Sequence, residues 1–218
     1  MGDPFNKIID NIPNILYICA SPGSGKTYFT KYLLNELFKQ KKLKYGIVFS
    51  PTKYTGAYDY LPKDFIHFKY DENVLIKLYN LQIQQFNKKS KAQPAFVVFD
   101  DCVGSVHFRS AKFANIISTY RHPNLTFIFI TQHIKAVPPL LRKCTRFFIT
   151  FYVNDEDTIK AIRENFMSDK KKNEIEKFID DNTKEDYSFI LVDNTKRKNE
   201  KYLFGKAPEK YKEIKIKY

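Results

Sequence analysis

Six short apolar runs punctuate the chain: Asn14–Ala20, Tyr45–Ser50, Phe96–Asp100, Leu125–Thr131, Phe147–Val153 and Tyr187–Asp193. They are continuous rather than alternating and rich in Ile, Val and Phe. Strands covered on both faces of a parallel sheet have this pattern. Between them, Lys26–Gln40, Asp71–Asn87, Ser110–Tyr120 and Asp155–Phe166 carry apolar residues at helical spacing; Leu33, Leu34, Leu37 and Phe38 make the stripe of the first. Strands separated by helices of this length predict right-handed crossovers and an α/β fold, a mostly parallel sheet with helices on both faces. Near the end, SFILVD–NTKRKNE–KYLFG reads as strand, polar turn, strand, hence an antiparallel hairpin on the sheet edge. No repeat or low-complexity linker interrupts the chain. The expected organisation is one domain over residues 1–218, with a core of about 14–153 and a C-terminal extension of about 154–218.

Composition narrows the class. At 218 residues and 43% hydrophobic, the chain can bury one substantial core, and 20 Phe and 15 Tyr against 7 Gly argue against disorder. No apolar run reaches the ~18 residues of a spanning helix. The N-terminus, MGDPFNKIIDNIP, lacks a signal-type apolar region, so a soluble intracellular protein with no membrane contact is expected. Cys19, Cys102 and Cys144 lie far apart and read as reduced thiols.

Charge adds more. The chain has 37 basic and 24 acidic residues, net +13, and the excess sits in residues 1–150, with 21 basic against 9 acidic. A lysine-rich solvated surface would account for this. So would a polyanionic partner, of which nucleic acid is the commonest.

The chemistry begins at Ala20-Ser21-Pro22-Gly23-Ser24-Gly25-Lys26-Thr27, between a predicted strand and a predicted helix. The pattern is that of a Walker A phosphate loop with Ala20 in place of the first glycine. Gly23 and Gly25 remain to turn the backbone so that successive N–H groups converge on phosphates. Ser21, Pro22, Gly23, Ser24, Gly25, Lys26, Thr27 and Tyr28 are the candidate nucleotide contacts. Lys26 would bridge the β- and γ-phosphates of ATP, Thr27 would ligate Mg²⁺, and the helix N-terminus favours the anion.

FVVFDD, residues 96–101, is a buried strand ending in two carboxylates, the form of a Walker B strand. Asp100 is the candidate Mg²⁺ acid. Asp101 beside it can deprotonate a water for attack on the γ-phosphate, a base for which a small-molecule kinase has no use; a plain turn aspartate is the alternative. Gln132 ends another apolar run, where a neutral amide suits a sensor of the γ-phosphate or the water. His67, His107, His122 and His133 are scattered without metal-ligand spacing, and no Ser-centred elbow or Asn-Lys-x-Asp motif is present.

The succession SPGSGKT, FVVFDD, STYRHPNLTFIFITQH and VPPLLRKCTRFFITF resembles the virion-packaging ATPases of poxviruses, other large cytoplasmic DNA viruses and virophages, within the FtsK–HerA superfamily of DNA pumps. The similarity covers about Asn14–Val153. It implies a RecA-like core with sheet order 5-1-4-3-2, a homo-oligomeric ring, and ATP-driven movement of double-stranded DNA into a capsid in the host cytoplasm, at the viral factory. Capsid proteins would then be partners. By the same resemblance Lys26, Thr27, Asp100, Asp101 and Gln132 match the motor's catalytic set, and Arg121 falls at its arginine finger.

Two assignments stay open at this level. Arg121 follows the helix Ser110–Tyr120, where a cation also complements the helix dipole. The candidate DNA grips are Lys53 and Tyr54 in one loop after a strand, and Arg109 and Lys112 in another. Competing functions are a nucleotide or metabolite kinase, and a nucleotide-gated adaptor that binds DNA without turnover.

Overall fold

The strands follow from residues that have nowhere else to go. In β1 (Ile15–Cys19), β4 (Ala95–Asp100), β5 (Leu125–Thr131) and β6 (Phe147–Thr150) every residue is buried, so both faces of the sheet are covered. The computed structural model describes residues 2–52, 55–102, 104, 106 and 108–216. With β2 (Tyr45–Phe49), β3 (Ile66–His67), β7 (Ser188–Asp193) and β8 (Tyr202–Lys206), these strands form one sheet of order β3-β2-β4-β5-β1-β6-β7-β8. The five central strands run in the expected order. One detail differs: the two-residue β3 extends the far edge beside β2. Parallel pairing runs from β3 to β6, while β7 and β8 are the expected antiparallel hairpin.

Alternate residues of the strands receive helices on opposite faces. On one face Phe5 of α1 (Pro4–Ile9) and Phe29 of α2 (Lys26–Lys39) pack on Phe189, and Phe38 of α2 on Phe96. On the other, Phe113 of α4 (Ala111–Thr119) meets Phe99, and Phe166 of α6 (Glu156–Phe166) stacks on Phe148 at 3.9 Å. The register explains the division. Phe99 lies beside Phe129, Phe129 beside Tyr17, and Tyr17 beside Phe148, so one row of rings crosses the sheet. Gly46 is required between β2 and β4, since a Cβ there would stand 2.3 Å from the Phe96 ring.

α3 (Glu72–Lys89), α5 (Pro139–Cys144) and α7 (Ile175–Thr183) complete the helices. Asp71, Ser110 and Asp155 cap α3, α4 and α6 through side-chain oxygens, which sets those starts one residue after the predicted ones. The segment after β8 lies along α2. Asn35 bonds the Lys212 carbonyl and the Ile214 amide, and the Ile216 amide reaches Tyr60 O at 3.0 Å. Among the described residues no helix is long and apolar enough to cross a membrane.

Candidate nucleotide site

Three strand ends converge at the carboxyl edge of the sheet. Cys19 of β1 pairs with Thr131 of β5, and Asp100 of β4 with Ile130, so the loop after β1, the acidic pair and Gln132 emerge side by side. The loop after β1 turns through Gly23 (φ 72°) and Gly25 (φ 98°), the left-handed region that glycine enters without steric cost. Gly25 caps α2, and the first turn of that helix leaves its amides without intrahelical acceptors. Ala20 is not in the left-handed region, so a Cβ is tolerated where the motif has its first glycine.

Lys26 is buried and its ammonium folds back on the loop, donating to Ala20 O at 2.9 Å and Ser21 O at 2.7 Å. Burial holds its pKa below the ordinary lysine value, against the pull of Asp101 and Asp100. Ser21 Oγ donates to Asn154 Oδ1 at 2.8 Å, pinning the loop to the strand end after β6. Ser24 Oγ is buried with no partner, an orphaned hydroxyl in the turn of the loop. Tyr28 turns its phenol away, donating to Pro208 O at 2.6 Å, so what it offers an anion is its backbone amide.

Asp100 is 2% exposed. Burial raises its carboxyl to about 6; a hydrogen bond from Tyr58 and the charge of Lys26 oppose the rise, and Asp101 adds to it. Tyr58 Oη donates to Asp100 Oδ2 at 2.8 Å. Asp101 is exposed and left-handed at φ 49°, a conformation Asp adopts more readily than bulkier residues. Gln132 Nε2 donates to its Oδ2 at 3.4 Å. The turn carrying Gln132 is held from below by Tyr17, whose Oη lies 3.0 Å from Thr131 Oγ1 and donates toward His133 O and Ile134 O.

Beside the loop lies a cleft of about 640 Å³, walled by Pro22–Gly25 on one side and by Tyr152 and Thr183–Ser188 on the other. Tyr187 (φ 64°) leans over Gly25, and its ring lies 4.8 Å from that of Tyr28. Tyr17, Tyr58 and Tyr187 carry no motif, so nothing in the sequence separates them from the other tyrosines.

The remaining candidates lie elsewhere. Arg121 precedes β5, at the sheet edge opposite its own phosphate loop; strands of this length set the two on the order of 20 Å apart. Its Nε donates to Tyr120 Oη at 3.1 Å, a phenol rather than a carbonyl of the helix end. Arg109 is exposed in the loop before α4, whereas Lys112, expected in the same loop, is exposed in the first turn of α4, because Ser110 caps the helix just before it. Lys53 and Tyr54 lie outside the described residues.

Sheet order, phosphate-loop position and strand-end carboxylates together define a P-loop NTPase with a RecA-like core. The chain belongs to the Poxvirus A32 protein family, whose model matches residues 5–212. A relative, "Uncharacterized protein 075L" of Invertebrate iridescent virus 6, is 27% identical over an alignment of 154 residues that covers 69% of this chain and 59% of that relative's length. Among solved structures, the genome packaging NTPase B204 from Sulfolobus turreted icosahedral virus 2, in complex with ATP-gammaS, superposes with a TM-score of 0.66 at 18% identity, covering 90% of this chain and 98% of that one. The cytoplasmic domain of the type VII secretion ATPase EccC from Thermomonospora curvata gives 0.56 at 13% identity, over 89% of this chain and 25% of its own. Both share the fold.

Proposed function

We propose that this chain is an ATP-hydrolysing motor that drives double-stranded DNA into a viral capsid. Membership of the A32 family and the fold shared with a genome packaging NTPase support this reading. The observation that carries it is the pairing of Gln132 with Asp101 beside the phosphate loop, since a base and an amide at that point serve water rather than an organic acceptor.

ATP binds with its phosphates over the amides of Gly23 to Tyr28. Lys26 exchanges the Ala20 and Ser21 carbonyls for phosphate oxygens, at little net cost because one set of charge-assisted bonds replaces another. The Thr27 hydroxyl and the buried Asp100 carboxylate are hard oxygen donors that suit Mg²⁺. When bound, that ion neutralises charge on the β- and γ-phosphates.

Asp101 takes a proton from water while the water oxygen bonds to the γ-phosphorus. The bond from phosphorus to the β,γ-bridging oxygen breaks, and ADP leaves with the electron pair. Gln132, held by the Tyr17-anchored turn, orients the water. Arg121 stands too far from its own loop to take part, so as a finger it serves the neighbouring subunit of a homo-oligomeric ring. Residues of about 14–153 form the motor core, extended by about 154–218, and Arg109 before α4 and Lys112 in its first turn contact DNA, with Lys53 and Tyr54 as further candidate contacts. Capsid proteins are the docking partners, and the work takes place in the host cytoplasm at the viral factory.

The test is ATP hydrolysis by the full chain with and without duplex DNA. Stimulation by DNA, and its disappearance in Lys26→Ala, is the expected result. A rate indifferent to DNA would count against a motor.

A further inference from the structure

Two lysine runs far apart in sequence meet on the edge of the sheet opposite the nucleotide. Lys41, Lys42 and Lys44 lead into β2, and Lys89 and Lys91 lead into β4. The two strands are parallel neighbours with Tyr45 beside Ala95, and the Lys44 amide bonds Pro94 O at 2.9 Å. The result is a cleft of about 580 Å³ walled by these five lysines and floored by Ile12, Ala92–Pro94 and Asn124.

The surface is built. Three turns around it are locked in left-handed geometry at Lys41, Ser90 and Asn124. Buried Gln82 donates to Gln93 O and to Pro123 O, both at 2.7 Å, and Asn124 Nδ2 donates to Ala92 O at 3.0 Å. The backbone that carries the ammoniums is therefore fixed, while the lysine heads stay in solvent.

Its charge is unbalanced. Among the described residues the ion pair at the cleft is Lys42 with Asp10, at 3.5 Å, while Lys41, Lys44, Lys89 and Lys91 have no acid partner. Cations held within one Debye length, about 8 Å at physiological salt, repel one another and gain when a polyanion arrives. Among the described residues no aromatic ring lines the cleft for a base to stack on, as single strands require. Among those residues the apolar lining is Ile12, Ala92 and Pro94, without the Trp, Tyr or Arg anchor that protein hot spots favour. Point charges on a rigid frame suit a regular row of backbone phosphates.

We propose that the cleft walled by Lys41, Lys42, Lys44, Lys89 and Lys91 is a contact surface for the phosphate backbone of duplex DNA, separate from the loops at the nucleotide edge. Duplex DNA as the polyanion rests on the packaging reading; the surface itself rests on the juxtaposed lysines. It takes phosphates without reading sequence, and it is one strand removed from Arg121.

The test is binding of a fluorescent duplex by the full chain across a salt series. Replacing Lys41, Lys44, Lys89 and Lys91 together by Ala should weaken binding by at least tenfold at low salt. It should also make the salt dependence shallower by roughly 0.9 in the log–log slope for each phosphate no longer neutralised. The same four positions as Arg should restore both, and ATP hydrolysis without DNA should be unchanged. A charge-matched control, with exposed Lys160, Lys172, Lys177 and Lys196 as Ala, should bind like wild type. Equal weakening in the control, or wild-type slope and affinity in the cleft variant, overturns the assignment. So does capture of polyglutamate as strong as that of DNA and dependent on the same lysines. A wild-type chain that binds no duplex at any salt would overturn both this surface and the packaging reading, whereas binding that ignores the cleft overturns the surface alone.

Discussion

Tyr58 and Asp100, 42 residues apart in sequence, share a hydrogen bond of 2.8 Å in the buried wall of the candidate nucleotide site. The phenol belongs to the loop after β2, and the carboxylate ends β4. Tyr58→Phe removes one donor from a buried, charged acceptor, and hydrogen bonds of that kind contribute about 1.5–3 kcal/mol. A loss of that size is expected in urea denaturation of the nucleotide-free protein, and a smaller loss with Mg²⁺ and a non-hydrolysable ATP analogue, where Asp100 would have the cation as a second partner. Equal losses in both states would mean that the bond is a packing detail remote from the nucleotide.

Asp101→Asn keeps the shape of the side chain and removes its basicity. Turnover should fall by about 10²–10⁴-fold, the contribution of a positioned base, while affinity for the ATP analogue stays near wild type. Gln132→Ala should lose less and in the same parameter, kcat. Wild-type turnover in Asp101→Asn would return that residue to the role of a turn aspartate.

Arg121 offers the test of the proposed ring. Arg121→Ala should fold and bind ATP yet lose hydrolysis by about 10³–10⁵-fold. Mixing it with Lys26→Ala subunits should recover activity, since a mixed ring contains sites built from an intact loop and a neighbour's intact arginine. Mixed rings without recovery would remove the finger.

Tyr187 holds a backbone conformation that bulky residues enter at a cost, and from it the ring leans over the phosphate loop. If the cleft it borders seats the nucleoside, Tyr187→Ala should raise the Kd for ATP about 2- to 10-fold, the worth of one aromatic contact, and leave kcat at saturation unaltered. Isothermal titration against ATP and free triphosphate separates a base contact, which weakens ATP alone, from a general loosening of the loop.

Stability at low pH should pass through Asp169. Partial burial would raise its carboxyl, but bonds from Lys201 and Tyr202 outweigh burial and hold it below the ordinary range. A carboxylate depressed in the folded state stabilises above its unfolded pKa, and that stabilisation is lost as pH falls through the folded value. Asp169→Asn should therefore cost about 1 kcal/mol at neutral pH, with the gap to wild type closing below pH of about 4. A gap independent of pH would assign the effect to shape alone.

The parts legible in the sequence were those in which one residue type has one physical use. Continuous apolar runs marked buried strands, Gly23 and Gly25 marked the left-handed turn, and adjacent acids marked a strand end. The short helices α1, α5 and α7 are not legible because each spans fewer than three turns, too few for a periodic stripe to emerge. β3 is two residues long and is created by its neighbour. Tyr58 and Tyr17 escaped for another reason: a phenol among 15 tyrosines signals a partner only once the fold brings the partner near. The two lysine runs were visible as charge, but their meeting depends on β2 lying beside β4.

The segment after β8 gives the molecule a mechanical linkage. It is fastened to α2 first at Tyr28, which holds Pro208, then at Asn35, and finally to the loop after β2 at Tyr60. One end of this strap is therefore anchored on the helix that starts at the phosphate loop, and the other on the loop that carries Tyr58. The C-terminal segment is thus a second bridge between the helix that starts at the phosphate loop and the loop that carries Tyr58, beside the direct bond from Tyr58 to Asp100.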